Sequence, residues 1–141
     1  MRHNPLSLLW LILLLPLSGC LSLSPKVETL SGSTRDAVLV YAEPAADNLL
    51  AAMNANDFKA FSRDFDPAMK SAVSAKTFSD IQTSVITKNG KYLSRVVTSV
   101  EKIGAYYRVL YAADFEKQKG FKILLVFDEA EPHLIAGLFF P

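Results

Sequence analysis

Between residues 43 and 88, apolar residues recur every three or four positions, which is the spacing of helices with one buried face. We expect the first helix to begin at Glu43-Pro44, because proline is well tolerated in a first helical turn. The polar stretch 54–57 predicts that this helix ends and that a short second helix begins. Further helix caps are expected at Asp66 and at Ser74 or Thr77. The first half of the domain is therefore predicted to be helical.

From Lys91 onwards, β-branched and aromatic residues dominate at every second position, and this alternation predicts strands. Asn89-Gly90 separates this region from the helices. Strands are expected near residues 91–103, 106–117, 120–128 and 133–140. The connections between them are short, and short connections join antiparallel neighbours. We therefore expect an α+β domain in which N-terminal helices pack on a curved four-stranded antiparallel meander.

The first twenty residues follow a different pattern. Arg2 precedes an apolar run that Pro16 closes, and Leu17-Ser18-Gly19-Cys20 follows. A positive start, an apolar middle and small residues before a cleavage point are the three parts of a secretory signal. The uninterrupted apolar run, Leu8–Leu15, is shorter than the roughly 20 residues that a helix needs to cross a bilayer. We expect residues 1–19 to be a signal peptide that takes no part in the fold.

The segment Leu17-Ser18-Gly19-Cys20 resembles the lipobox of prokaryotic lipoproteins. In that family the cysteine thiol receives a diacylglyceryl group and signal peptidase cuts just before it, so the resemblance implies a mature chain that begins at Cys20. Two acyl chains anchor a protein stably where one chain does not. The implied location is the cell membrane or the outer membrane, with the domain facing the periplasm or the exterior. The alternative is an ordinary secretory signal followed by a chance cysteine.

Residues 20–36 are rich in serine and threonine and include one proline and one glycine. This composition is typical of a flexible tether that packs poorly. We expect the lipidated cysteine and its tether to span residues 20–36, and the folded domain to span residues 37–141. Within that domain, Val38–Tyr41 is expected to be a short strand or the lead into the first helix.

Composition and charge narrow the functional classes. A chain of 141 residues fits one domain, and a 50% hydrophobic content is enough to build a core. The 15 Lys and Arg residues nearly balance the 14 Asp and Glu residues, so we expect no basic surface and no nucleic-acid partner. Loss of Arg2 with the signal peptide would leave the mature side chains neutral. The lipid itself, rather than attraction to anionic headgroups, is then expected to hold the protein at the membrane.

Residues that could carry catalysis or bind a metal are few. His3 lies in the predicted signal peptide, which leaves His133 as the histidine of the expected mature chain. With Cys20 assigned to lipid, the familiar zinc sites and nucleophilic triads cannot be assembled, and we expect no metal and no cofactor. His133 follows Pro132 at the start of a strand, which favours a solvent-exposed or loop-packing role over a functional one. The carboxylates of Asp66 and of the cluster at 128–131 favour helix-cap and turn roles.

Three segments carry a resemblance to a known family. They are Ala-Ala-Met-Asn-Ala-Asn-Asp-Phe at 51–58, Phe-Asp-Pro-Ala-Met-Lys at 65–70 and Asn-Gly-Lys-Tyr at 89–92. They resemble the pattern of the family called domain of unknown function 3887, which is found in exported proteins. The resemblance spans about residues 42–140 and implies a cone-like fold similar to cystatin and to nuclear transport factor 2. These segments are structural rather than catalytic, so the resemblance implies no reaction.

We therefore expect a membrane-anchored lipoprotein with a non-catalytic binding or interaction domain at the cell envelope. A pocket for a small apolar ligand inside the cone would be lined by Met53, Phe61, Phe78, Tyr92, Tyr106 and Asp114. The alternative is a small-molecule enzyme similar to ketosteroid isomerase, in which Tyr106 or Tyr92 would act beside Asp114. Both faces of the predicted sheet carry apolar residues, so the face without helices is expected to bind a second copy or an envelope protein.

Overall fold

The computed structural model describes residues 25–141. Residues 1–24 lie outside this range, and with them the predicted signal peptide and Cys20. The elements, in chain order, are β1 (Val27–Thr29), α1 (Gly32–Ala55), α2 (Phe58–Phe61), α3 (Pro67–Ala72), α4 (Ala75–Ile81), a π-helical segment (Gln82–Thr87), β2 (Tyr92–Ile103), β3 (Tyr106–Phe115), β4 (Phe121–Asp128) and β5 (Ile135–Phe139). The described part of the chain is thus an α+β domain, as the sequence predicts.

The strands form one open antiparallel sheet with the order β1-β2-β3-β4-β5. The four predicted strands are confirmed as β2 to β5, and their ends agree with the prediction to within two residues. The prediction of a four-stranded sheet is wrong in number, because β1 adds a fifth strand beside β2. The sheet does not close into a barrel.

The additional strand β1 lies in the segment that was expected to be a tether. Val27 pairs with Ile103, Thr29 pairs with Glu101, and the backbone N–H of Leu30 donates to a β2 carbonyl at 2.8 Å. All three residues of β1 are exposed, so no apolar periodicity marks the strand. Backbone hydrogen bonds to β2 hold it instead. Together with the first turns of α1, it builds residues 27–36 into the domain.

Helix α1 begins at Gly32 rather than at Glu43, and Pro44 lies inside it. A proline inside a helix removes one backbone hydrogen bond. The acceptor left without a donor is the carbonyl of Val40, a residue that is 77% exposed, so water can satisfy it. Burial of Val38 and Ala42 against the sheet continues the helix through this point. Residues 38–41 are therefore helical and do not form the short strand that was one of the two expectations.

The predicted helix caps are confirmed. The side-chain oxygens of Asp57, Asp66 and Ser74 each accept a hydrogen bond from the backbone N–H three residues further on, at 3.0, 2.6 and 3.1 Å. Asn56 ends α1 in a left-handed conformation with φ 55°. Short helices cannot satisfy their own first N–H groups, so these side chains fix where α2, α3 and α4 begin.

One face of the sheet, here called the inner face, packs against the helices. In β3 and β4 its residues are the odd-numbered ones, and the even-numbered residues form the outer face. The inner face and the helices share one core, whose large and fully buried side chains include Leu49, Leu50, Met53, Phe61, Phe65, Tyr111, Phe115, Ile123, Leu125, Phe127 and Ile135. Asn54 fastens the end of α1 to β2, since its amide exchanges two 2.9 Å hydrogen bonds with the backbone of Tyr92.

Candidate functional site

Three of the six residues predicted to line a pocket are brought together, but they lie in the packed core. Met53 and Phe61 are 0% exposed and Phe78 is 4% exposed. The ring centroid of Phe61 is 4.7 Å from that of Phe78 and 5.2 Å from that of Phe65. Side chains in such contact stabilise the helical layer against the sheet. None of them lines the cleft described below.

The other three predicted pocket residues do not converge. Tyr106 and Asp114 lie on the outer face, eight residues apart on β3, which corresponds to about 26 Å along an extended strand. Tyr92 instead contacts the core, with its ring centroid 5.9 Å from that of Phe115 on the inner face. The paired Tyr and Asp that the enzymatic alternative requires are therefore on opposite faces or at opposite ends of the sheet.

Asp114 has a structural role in the turn between β3 and β4. Its carboxylate accepts a hydrogen bond from the backbone N–H of Gly120 at 3.0 Å and one from Lys119 Nζ at 3.1 Å. The Gly120 N–H, followed by Lys119, holds the pKa of Asp114 below its usual range. A carboxylate stabilised in its charged form by a turn is poorly suited to take a proton from a substrate.

An open cleft of about 440 Å³ lies between the first half of α1 and the inner face of the sheet. We call it the α1 cleft. It lies at the end of the sheet where β2 turns into β3 and where the loop between β4 and β5 returns. Its lining includes Leu30, Thr34, Val38, Tyr41, Tyr107 and His133. None of the six residues predicted to line a pocket belongs to this lining.

Helical spacing explains how α1 forms one wall of the cleft. Ala37 and Val38 follow Thr34 by three and four positions, and Tyr41 follows them by four and three. Their side chains therefore project from the same side of the helix. On the opposite wall, Lys102 of β2 lies directly across from Tyr107 of β3. The wall on α1 comes from the part of that helix that was not predicted, so sequence reasoning missed this site.

Aromatic rings close one side of the cleft. The ring of Tyr41 stacks on the ring of His133, with centroids 4.1 Å apart and planes at 14°, and meets Phe127 edge to face at 5.6 Å. His133 adopts a left-handed backbone conformation with φ 57°, and its Nδ1 lies 3.1 Å from the carbonyl oxygen of Asp128. The loop between β4 and β5 thus positions His133 against α1.

The hydroxyl of Tyr41 is buried and has no hydrogen-bond partner among residues 25–141. Burial raises the pKa of Tyr41 to about 12, and Tyr107 and Glu129 act in the same direction. Lys102 binds the carboxylate of Glu129 and lies 5.4 Å from the centroid of the Tyr107 ring. Lys102 and Glu129 are therefore paired, Glu28 of the lining forms no ion pair among residues 25–141, and the Tyr41 hydroxyl is a neutral donor that is unused.

The α1 cleft has the features of a binding site. Its walls are largely aliphatic and aromatic and also include Glu28, Thr34, Lys102 and His133, and a mainly apolar lining with a few polar groups is typical of small-molecule sites. Within residues 25–141, no three His, Cys, Asp or Glu side chains are grouped so that they could hold a metal ion. No helix in this range combines the length and apolar character needed to span a bilayer.

A second polar group of residues connects α1 to the sheet. The side chain of Arg95 is 7% exposed, and its guanidinium binds Glu43 at 3.1 Å, Asp47, and the hydroxyl of Tyr92 at 3.2 Å. It also lies 5.2 Å from the centroid of the Tyr111 ring. Burial alone would lower the pKa of Arg95, but the hydrogen bonds to Asp47 and Tyr92 and the charge of Glu43 raise it. Arg95 therefore stays charged inside the domain.

Fold and cleft together define the class: an α+β domain whose helices cover one face of an open antiparallel sheet. The chain belongs to the family described as protein of unknown function (DUF3887), which matches residues 46–137. The family resemblance predicted from the sequence is thereby confirmed. A comparison with curated proteins gives no match. The matched range contains Tyr107 and His133 but not the wall that Leu30, Val38 and Tyr41 contribute.

Proposed function

We propose that the protein is a membrane-anchored lipoprotein whose domain binds a small apolar ligand in the α1 cleft without chemical conversion. The observation that carries this proposal is the cleft itself, with the stacked Tyr41 and His133 rings and the unpaired Tyr41 hydroxyl. The lipobox-like segment that ends at Cys20 supports anchoring at the cell membrane or the outer membrane. Helices on one face of the sheet support a cone-like fold similar to nuclear transport factor 2.

The dimensions and lining of the cleft limit the ligand. A volume of about 440 Å³ lies in the lower part of the 300 to 1,000 Å³ range of small-molecule sites. Leu30 and Val38 supply aliphatic surface, and Tyr41 and Tyr107 supply aromatic surface. A ligand that is largely apolar and has one polar group fits this lining, because aliphatic and aromatic side chains form most of it and Thr34, Lys102 and His133 supply polar groups.

Native mass spectrometry of the mature lipoprotein, purified in a mild detergent, tests the binding proposal. Ala37→Phe places a ring in the cleft from an exposed position, and Ala51→Phe makes the same change at an exposed position of α1 outside it. We expect additional mass on the parent and on Ala51→Phe, and none on Ala37→Phe. An unmodified mass for the parent, or an equal adduct on both variants, would contradict the proposal.

Anchoring has a separate test. The parent is expected in the membrane fraction, and Cys20→Ser is expected to leave it because the acceptor of the lipid is lost. Retention of Cys20→Ser in the membrane at the level of the parent would exclude lipidation as the anchor.

Association of two copies through the outer face is a second candidate function. Val96 is 64% exposed and Phe139 is 55% exposed, and both lie on this face. Leu110, Leu124 and Phe139 lie in one register row across β3, β4 and β5, and Val96 lies in the neighbouring row beside Ala112, which Lys122 continues on β4. Arg108 and Glu101 form a 3.5 Å ion pair on the same face. A two-fold related copy can therefore set each charge against its opposite, which favours a second copy over a partner of uniform charge. An envelope protein as partner would instead leave the purified chain monomeric.

A further inference from the structure

We infer that one end of the domain faces the lipid bilayer and that the α1 cleft takes a single-chain amphiphile from it. This end, here called the turn end, consists of the β2–β3 turn at Gly104-Ala105 and the β4–β5 loop at 129–134. The inference rests on the proposed lipid anchor at Cys20 and deepens the proposed function by naming the class of ligand. It is carried by the pairing of β1, the length of chain before it and the position of the cleft.

The pairing of β1 fixes where the chain enters the domain. Val27, the first residue of β1, lies opposite Ile103, the last residue of β2, so the chain arrives beside the β2–β3 turn. Five residue steps separate Cys20 from Pro25, the first described residue. An extended chain spans at most about 3.6 Å per residue, so Cys20 lies within about 18 Å of Pro25.

The sheet is longer than this reach. Leu93 and Ile103, near the two ends of β2, are ten residues apart, or about 33 Å along an extended strand. Because 33 Å exceeds 18 Å, Cys20 itself cannot reach the far end of the sheet from the point where the chain enters. The turn end is therefore the part of the domain held nearest to the lipid.

Most of the surface of the turn end is uncharged. Gly104, Ala105, Tyr106, Ala130 and Pro132 are all exposed and uncharged, and Glu131 is the one exposed charge of the two loops that forms no ion pair among residues 25–141. Tyrosine is enriched where the lipid headgroups meet the hydrocarbon, since its ring is amphipathic.

The two loops of this end are also held together. The backbone N–H of Glu129 donates to the carbonyl of Ala105 at 2.9 Å, and the Glu129 carboxylate binds Lys102. The ion pair of Lys102 and Glu129 has no net charge, so Glu129 adds no net charge to the surface that would contact lipid. The turn end can therefore approach the bilayer as one surface.

The α1 cleft lies at the same end. Lys102 and Tyr107 face each other one position from the β2–β3 turn, and His133 belongs to the β4–β5 loop. A molecule in the bilayer would therefore meet the cleft without crossing water. An acyl chain matches the aliphatic side chains of Leu30 and Val38, and a polar head would remain at the border of the cleft. The aliphatic lining and its position near the bilayer therefore favour a single-chain amphiphile over a polar metabolite as the ligand.

Single tryptophans can report which end of the domain contacts lipid. Trp10 is the one tryptophan of the chain and lies in the predicted signal peptide, so the mature lipoprotein is a clean background. Tyr106→Trp places the probe at the turn end and Leu93→Trp places it at the far end, at positions that are 44% and 56% exposed. Both variants are inserted into phosphatidylcholine vesicles whose acyl chains carry bromine, a contact quencher. We expect Tyr106→Trp to lose most of its fluorescence and Leu93→Trp to keep most of it.

The outcomes separate this inference from the proposed function. Equal fluorescence loss for the two variants, or greater loss for Leu93→Trp, overturns the orientation while anchoring stands. If Tyr106→Trp with Cys20→Ser binds vesicles and is quenched as strongly as Tyr106→Trp alone, lipid anchoring itself fails.

The ligand class is tested with palmitic acid carried in the same vesicles. In native mass spectrometry we expect the parent to carry an adduct with the mass of palmitic acid, and Ala37→Phe to carry none. Absence of the adduct from the parent overturns the proposal that the ligand is a single-chain amphiphile, and it leaves the orientation result unaffected.

Discussion

The guanidinium of Arg95 donates two hydrogen bonds to Glu43, one to its backbone carbonyl oxygen and one to its Oε2, both at 3.1 Å. This contact joins the middle of α1 to β2, next to the point where Pro44 interrupts the hydrogen bonding of the helix. It sets how the first half of α1 lies on the sheet. The wall of the α1 cleft therefore depends on a buried charge outside the cleft.

Replacing Arg95 should destabilise the domain more than replacing an exposed arginine. Arg95→Ala leaves the neighbouring polar groups without their common donor, and we expect a loss of about 2 to 3 kcal/mol in the free energy of unfolding. Arg63, whose side chain is 60% exposed, pairs with Asp64, and Arg63→Ala should cost much less, because exposed ion pairs contribute little to stability. Urea unfolding of both variants at neutral pH gives the two values. Losses of equal size would show that the buried cluster contributes no more than a surface ion pair.

Gly90 and Gly104 form a matched pair for testing a close contact. Both have positive φ, 81° and 57°, so alanine at either position costs about 1 to 2 kcal/mol in backbone strain. A Cβ at Gly90 would also lie 2.7 Å from Cβ of Glu116, whereas a Cβ at Gly104 meets nothing within 4 Å. Gly90→Ala should therefore be the more destabilising by a further 1 kcal/mol or more, about the cost of overpacking. Thermal unfolding compares them, and equal melting temperatures would contradict the close contact.

The hydroxyl of Tyr41 predicts an unusual stability effect. A buried hydroxyl without a partner costs about 1 to 3 kcal/mol, so Tyr41→Phe should unfold at the same or a higher urea concentration than the parent at pH 7. Phenylalanine keeps the ring that stacks on His133, so little packing is lost. A clear loss of stability would show that the hydroxyl has a partner in solution.

The pH dependence of the same variant has a definite sign. The pKa of Tyr41 in the folded protein is raised to about 12 from an ordinary value of 10.0. Stability from the neutral hydroxyl is complete below pH 10 and is lost as the pH rises towards 12, because the unfolded chain releases its proton first. The parent should therefore lose stability relative to Tyr41→Phe over this interval. Parallel stability curves from pH 9 to 12 would rule out the raised pKa.

Self-association through the outer face predicts a charge-sensitive oligomer. Val96→Lys places an ammonium in the apolar surface, and Val40→Lys makes the same change at a helix position that is 77% exposed. Sedimentation of the detergent-solubilised protein should show a dimer for the parent and for Val40→Lys, and a monomer for Val96→Lys. A monomeric parent would direct the search to a different protein as the partner.

The strands and helix caps could be predicted because their determinants are local. Alternation of apolar residues marks β2 to β5, and single side chains such as Asp57 and Asp66 fix helix starts. β1 has neither signal, since its three residues are exposed and its pairing partner lies more than seventy positions away. The start of α1 was placed too late in the sequence. Proline prefers a first helical turn, but the burial of Val38 stabilises helix before Pro44 and outweighs that preference.

The candidate site was less accessible from the sequence because it depends on tertiary placement. Met53, Phe61 and Phe78 are apolar residues at helical spacing, a pattern that describes core and pocket equally well. Tyr41 and His133 are far apart in the chain, and only the fold makes them neighbours. For the polar group outside the cleft the sequence did carry one signal: Arg95 is a charged residue within a predicted strand, where burial calls for partners.

The three residues of β1 also bear on how the protein behaves when it is concentrated. They occupy the final positions of the β2 edge, which would otherwise present unpaired N–H and C=O groups to any other chain. The irregular register of β2 near Leu93 and Thr98 discourages strand pairing along the remainder. A version of the chain shortened to begin at α1 would leave these N–H and C=O groups of β2 unpaired. We expect such a chain to aggregate edge to edge. A segment that contributes almost nothing to the core thus protects one end of the β2 edge from misassembly.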